Sequence, residues 1–169
     1  MTTDPHAKPS TEREDLSLND AASHLLEECR TVVPGMQALF GFQLIAVFNA
    51  AFREQLSSME RTIHLTAIVL VTIAIALVMA PVALHRQMEP LAISRRFIRI
   101  SSWLLLASLA PLALGICLDV YLVARVIVGT RRVAAIVAAS LLGVFIVCWL
   151  LLPRLCRSLS VASESAHDE

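Results

Sequence analysis

Charged side chains are scarce in this 169-residue sequence: they make up 17% of it, against about 25% in an ordinary soluble domain. Hydrophobic residues make up 57%, and mean hydropathy is +0.71. A soluble domain of this length has too small an interior to bury so much apolar surface. The 14 basic and 14 acidic residues cancel, so no excess of positive charge points to nucleic acid as a partner.

The residue patterns of common catalytic and metal sites are also missing. The four cysteines are Cys29, Cys117, Cys148 and Cys156. None belongs to a Cys-x-x-Cys pair, and no His is spaced with them as metal ligands are. The sequence has no Gly-rich phosphate loop and no Ser/His/Asp constellation. We therefore expect neither an enzyme nor a protein with a cofactor, a bound metal or a disulfide framework.

The start of the sequence lacks a secretory signal peptide. Residues 1–30 are polar and mostly acidic, without an early apolar core or a cleavage-like site. We therefore expect the first apolar segment to be a retained membrane anchor. Residues 1–15 are rich in charge and have little to bury, and residues 158–169 are rich in serine and acidic side chains. Both segments are predicted to be disordered tails.

Four apolar segments make up most of the remaining chain, and each reaches the roughly 20 residues that a helix needs to cross a bilayer. The predicted spans cover about residues 32–52, 63–84, 100–122 and 133–152. None has the polar face of a helix in a soluble bundle. Before them, residues 17–31 place apolar side chains at helical spacing. The predicted fold is all-α: a four-helix transmembrane bundle of two hairpins with an N-terminal amphipathic helix, forming a membrane domain over residues 16–157.

The basic residues indicate which way the chain crosses the membrane. With four spans, both tails and the central loop share one side, which carries nine of the 14 basic residues. Because positive charge accumulates on the cytoplasmic side, we expect both termini in the cytoplasm. Arg95, Arg96 and Arg99 lie next to the third span and could bind anionic lipid headgroups. The alternative is that these three arginines only set the topology.

Two motifs stand at the ends of the first hairpin. Glu28-Cys29-Arg30 followed by the segment 34–42 (PGMQALFGF) opens the first helix, and residues 80–86 (APVALHR) close the second. Together they resemble a bacterial family of small four-helix membrane proteins catalogued as a domain of unknown function. Some of its members carry an automatic label of sodium:proton antiporter. The resemblance covers about residues 16–130 and implies four spans and an inner (plasma) membrane location, without an established chemistry.

Asp119 is the main candidate for a proton or ion site. A carboxylate inside a transmembrane segment is costly, and it indicates a functional site by default. The alternative is structural: if the third span ends near Val120, Asp119 lies at the outer interface. There it would pair with Arg125, Arg53 or Arg61.

A second candidate site draws on the two motifs. Its members share the predicted cytoplasmic side of the first hairpin and are Glu28, Arg30, Gln37, Pro81, His85 and Arg86. Pro81 removes a helical hydrogen bond, and such a break can open a polar spot in a membrane helix. His85 titrates near neutral pH and could sense or relay protons. The alternative is an ion-pair network that fixes the hairpin at the interface.

Small residues on the fourth span form a ridge. Ala135, Ala139 and Gly143 recur at every fourth position, a spacing that permits close helix contact. The contact could lie inside the bundle or between protomers of a homo-oligomer, and the sequence leaves both open.

Two classes of function remain. The first is a non-enzymatic multi-pass membrane protein with a structural, regulatory or partner-binding role. The second is a small proton or monovalent-cation transporter, similar to a sodium:proton antiporter, or a channel subunit. A transporter of ions usually shows several buried polar residues, and Asp119 is the one acid inside the predicted spans. The sequence therefore favours the first class.

Overall fold

The computed structural model describes residues 8–88 and 95–154, and every regular element in this part of the chain is a helix. The helices are α1 (Lys8–Phe48), α2 (Ala50–Gln55), α3 (Ser58–Met88), α4 (Arg95–Val128) and α5 (Arg131–Ile146), the last continued by a π-helical turn over Val147–Leu151. The predicted all-α fold is confirmed. The predicted tail 158–169 lies outside the described residues.

Four helices are long and apolar enough to cross a membrane. The candidate spans are Asp20–Phe48, Ser58–Gln87, Arg95–Val128 and Arg131–Arg154. Many large apolar side chains are exposed on them, such as Phe42 at 71% and Ile127 at 76%. A water-soluble protein of this size does not leave so much apolar surface uncovered, whereas a lipid bilayer covers it. The prediction of four transmembrane helices is confirmed.

The predicted amphipathic helix is not a separate element, because α1 runs without a break from Lys8 to Phe48. Its apolar stripe is present: Ala22, Leu25 and Cys29 are buried. Residues 8–15, predicted to be disordered, belong to the same helix. The helix can start there because a proline in the first turn, here Pro9, gives up an N–H that has no helical partner.

The ends of the spans differ from the predicted ones. The first span ends at Phe48, four residues early, and the short helix α2 follows Asn49. At the other connection α4 continues to Val128, and Gly129 ends it with a φ of 72°. The Gly129 N–H donates to the Arg125 carbonyl at 3.0 Å, as in a helix C-cap that requires the left-handed conformation of glycine. Only two residues therefore separate α4 from α5.

The chain divides into two compact units. In the part that the structure describes, the first unit contains residues 8–45, 71–88 and 95–110, and the second contains residues 46–70 and 111–154. The core of the first unit includes Ala22, Cys29, Met36, Val71, Ala74, Val78, Pro81, Phe97 and Ser101. The core of the second unit includes Leu56, Glu60, His64, Ala67, Ala113, Cys117, Leu122 and Ala134.

The buried face of α3 follows a regular repeat. Its buried positions are Glu60, His64, Ala67, Val71, Ala74, Val78 and Pro81, which alternate in steps of four and three. This is the spacing of a heptad seam, which keeps one narrow stripe of a helix against its neighbours. The first two positions of that stripe carry ionisable side chains, and the rest carry small or branched apolar ones. The packing of α3 therefore turns Glu60 and His64 inward.

Candidate functional site

The site begins with a capping box at the start of α3. The backbone N–H and the hydroxyl of Ser57 both donate to Oε2 of Glu60, each at 2.9 Å. In return the Glu60 N–H donates to Oγ of Ser57 at 3.4 Å. This reciprocal pair satisfies two backbone donors that the first turn of a helix otherwise leaves open. It also holds the Glu60 carboxylate in one orientation, against the core.

Arg125 connects this carboxylate to α4. Its Nε lies 3.2 Å from Oε1 of Glu60, with the side chains 28% and 5% exposed. Neither atom has a hydrogen-bond partner of acceptable geometry, so the contact is an ion pair rather than an aligned hydrogen bond. Nη1 of Arg125 donates to the carbonyl of Gly129 at 3.0 Å. One arginine therefore joins the start of α3 to the turn between α4 and α5.

A second acid–base pair lies one helical turn further along α3. Nδ1 of His64 is 3.4 Å from Oδ1 of Asp119 on α4, and the two side chains are only 8% and 18% exposed. The ring of Phe52 from α2 meets the His64 imidazole edge-on, with ring centroids 5.2 Å apart. The Phe52 ring and the apolar side chains of the neighbouring helices cover most of the surface of this pair. In the second unit, two acid–base pairs therefore connect α3 to α4.

Asp119 lies well inside α4 and not at the end of that helix. Helix α4 continues for nine residues beyond it, to Val128, which is about 13 Å at 1.5 Å per residue. Asp119 is therefore not in the last turn of its helix. Arg125 is engaged with Glu60, Arg61 is exposed, and the side chain of Arg53 lies outside the described part of the chain. A basic group that the structure places beside Asp119 is the His64 imidazole.

The arrangement is suited to holding and exchanging a proton. An imidazole and a carboxylate at this distance can share one proton between them, and imidazole exchanges protons near neutral pH. Pairing also offsets much of the cost of removing both groups from water. Among the described residues no group of three or more His, Cys, Asp or Glu side chains is placed to hold a metal ion. The chemistry that these side chains offer is therefore proton binding and electrostatic attraction of a cation.

The members of the second predicted site have different surroundings in the structure. Pro81 is buried on the seam of α3, and His85 packs against Phe97 with ring centroids 5.7 Å apart. The buried Nδ1 of His85 has no hydrogen-bond partner among the described residues. Within the described residues, neither Glu28 nor Arg30 forms an ion pair with His85. The remaining members, which are Glu28, Arg30, Gln37 and Arg86, are exposed.

The other predicted contacts concern surfaces. Arg95, Arg96 and Arg99 are exposed in the first turns of α4, so binding of lipid headgroups by these arginines stays a prediction. On α5 the buried position is Ala134. The neighbouring ridge points elsewhere: Ala135 and Ala139 are exposed and Gly143 is half-buried.

The chain matches a family of unknown function, DUF6328, over residues 11–153. It belongs to this family. The match begins inside α1 and ends in the last turn of the fourth span, so it extends further than the motifs at the ends of the first hairpin. No curated protein and no solved structure matches the chain. Membership of this family does not assign a function, so the function has to be inferred from the site.

Sequence reasoning missed most of the site of this DUF6328 protein, although two signals were present. The motif Ser57-x-x-Glu60 is a capping box, which places a helix start at Ser58 instead of Ile63. The repeat of four and three along α3 then puts Glu60 and His64 on the buried face. On α4, Asp119 stands out as an acid in an apolar run, but the sequence does not indicate which residue of α3 it faces.

Proposed function

We propose that this DUF6328 protein is a small transporter of protons or monovalent cations, with His64 and Asp119 as its proton-binding site. We place it in the plasma membrane with both termini in the cytoplasm, as the distribution of basic residues favours. The observation that carries the proposal is the shielded contact of 3.4 Å between the two side chains on adjacent membrane helices.

The two acid–base pairs differ in what they explain. Glu60 and Arg125 secure a helix start and a turn, so their structural role accounts for them. The His64–Asp119 pair lies further along α3, six residues beyond the first residue of that helix, or about 9 Å. A buried ion pair is no more stabilising than well-packed apolar side chains, and is often less so. Ionisable groups inside membrane helices are typical of proton and ion pathways.

In the proposed orientation, a proton reaches the pair from outside the cell. With cytoplasmic termini, the α2–α3 and α4–α5 connections lie outside the cell, and the Glu60–Arg125 pair lies between them and His64. A proton that enters from outside would pass this charged layer before it reaches the imidazole. The direction in which protons move then depends on the gradient of the sodium or potassium ion that is exchanged for them.

Purified protein in liposomes that contain a pH-sensitive dye tests the proposal. We expect proton flux that depends on a sodium or potassium gradient, and we expect Asp119→Asn and His64→Gln each to lose it. Asp20→Asn and Arg61→Gln are matched controls, because both residues are exposed ionisable groups, and both should retain the flux. Absence of flux from the unmodified protein under every cation gradient would reject transport.

A second candidate is a non-enzymatic scaffold or regulator that works as a homo-oligomer. It is favoured by the fourth span, Arg131–Arg154. None of the residues in the most apolar stretch of this span is buried against other described residues of the chain. The exposed ridge of Ala135 and Ala139 would allow two copies to approach closely. Photobleaching of single labelled molecules in nanodiscs tests it. Ala139→Leu should convert oligomers to monomers. Val137→Leu should not, because Val137 is two positions from both Ala135 and Ala139 and so lies on the opposite face of α5. A monomeric unmodified protein would contradict this candidate.

A further inference from the structure

The first unit contains an open cavity that the proton site does not use. It lies between α1, α3 and α4 and has a volume of about 520 Å³. From α1 it is lined by His24, Glu28 and Val32, from α3 by Val78, and from α4 chiefly by Leu105 and its neighbours. Its size falls within the range of about 300–1,000 Å³ that is typical of small-molecule sites.

The cavity has an apolar body and a polar edge. The α1 residues that line it recur at helical spacing, so they form one face of that helix. The α4 residues do the same, and four of the six are aliphatic, the others being Ser102 and Ser108. The hydroxyl of Ser108 donates to the Leu105 carbonyl at 2.6 Å, so that hydroxyl is already occupied. The polar groups left to meet a ligand are Ser102 on α4 and, on α1, His24 and Glu28, which are one turn apart.

Glu28 gives this edge its charge. It is an exposed acid, and among the described residues no ion-pair partner accompanies it. Arg30, two positions later, points to the opposite side of the helix at about 100° per residue. A carboxylate next to apolar walls attracts a positively charged group on an otherwise apolar ligand.

We propose that this cavity binds a hydrophobic organic cation. The apolar body of the ligand lies among the leucines and valines of α3 and α4, and its positive group contacts Glu28. A small lipophilic ammonium or phosphonium ion satisfies both requirements. A phospholipid satisfies them less well, because its phosphate would lie near the Glu28 carboxylate. The proposal is independent of proton transport, since Glu28 and the cavity belong to the first unit and the His64–Asp119 pair belongs to the second.

Equilibrium dialysis of the full chain in nanodiscs tests the proposal with two probes of the same size and opposite charge. Tetraphenylphosphonium should bind saturably at one site per chain, after subtraction of its partition into empty nanodiscs, and tetraphenylborate should not. Glu28→Gln should weaken binding of the cation about tenfold. Glu27→Gln is the matched control, because Glu27 is an exposed acid that is not part of the cavity lining, and it should leave binding unchanged.

A second variant tests the cavity rather than the charge. Val32→Trp fills the space from a side chain that is already 40% exposed, and it should abolish binding while the circular dichroism spectrum stays helical. If Glu28→Gln does not fold, Glu28→Asp replaces it and should retain binding that Val32→Trp loses. No saturable binding, a preference for the anion, or equal binding by Glu28→Gln and the unmodified protein would each overturn the proposal.

Discussion

Removal of the Glu60 side chain should destabilise the protein more than any other single change at the start of α3. Glu60→Ala deletes the acceptor of two Ser57 hydrogen bonds and the ion-pair partner of Arg125. Loss of a helix cap costs about 1 kcal/mol. Loss of the ion pair adds about 1–2 kcal/mol, a value between those for exposed and buried pairs. The cost is intermediate because Arg125 is 28% exposed, so its guanidinium can contact solvent once Glu60 is removed. The expected total is about 2–3 kcal/mol.

The measurement is the free energy of unfolding in mixed micelles titrated with sodium dodecyl sulfate, followed by circular dichroism. Glu54→Ala on α2 is the matched control, because Glu54 is an exposed acid in the same region, and it should cost less than about 0.5 kcal/mol. A double-mutant cycle of Glu60→Ala with Arg125→Ala should give a coupling energy of about 1 kcal/mol or more. A loss for Glu60→Ala equal to that of Glu54→Ala would refute the assignment of the cap and the ion pair.

Two further changes are expected to affect stability in the same assay. Ser57→Ala should cost about 1 kcal/mol because it removes the hydroxyl half of the capping box, whereas Ser58→Ala should be nearly neutral; equal costs would contradict the assignment of Ser57 as the cap. Gly129→Ala should cost about 1 kcal/mol or more, because its φ of 72° is unfavourable for a residue with a Cβ atom. An unchanged stability for Gly129→Ala would show that the turn between α4 and α5 is not held in this conformation.

The four spans were predictable because each apolar run is long enough to cross a bilayer, and lipid leaves a helix as the only structure for it. The ends of the spans were not, because hydropathy falls where charge begins while helical hydrogen bonds continue. Arg125 shows this: it marks the end of the apolar run, but α4 extends to Val128 and stops only at Gly129. The amphipathic stripe of α1 was predicted correctly, and its continuity with the first span was not.

One residue of the candidate site could be predicted from the sequence, and its partner could not. Asp119 was identified because a carboxylate in an apolar run is rare. Only the structural alternative named a neighbour for it, an arginine, whereas His64 faces it across the contact between α3 and α4. That pairing depends on how two helices meet, which a single sequence does not specify when one of them is apolar on all sides. The sequence places Glu28 and His85 near the same face of the membrane, but this does not determine which side of its helix each residue occupies.

The most direct test of the central claim is the proton flux of two Asp119 variants in liposomes. Asp119→Asn preserves the size of the side chain and removes its ability to carry a proton as a carboxylate does, whereas Asp119→Glu keeps the carboxylate and changes the packing. If the pair with His64 binds the transported proton, Asp119→Asn loses cation-dependent flux and Asp119→Glu retains part of it. Full flux in Asp119→Asn, with the protein folded and inserted, would contradict the claim.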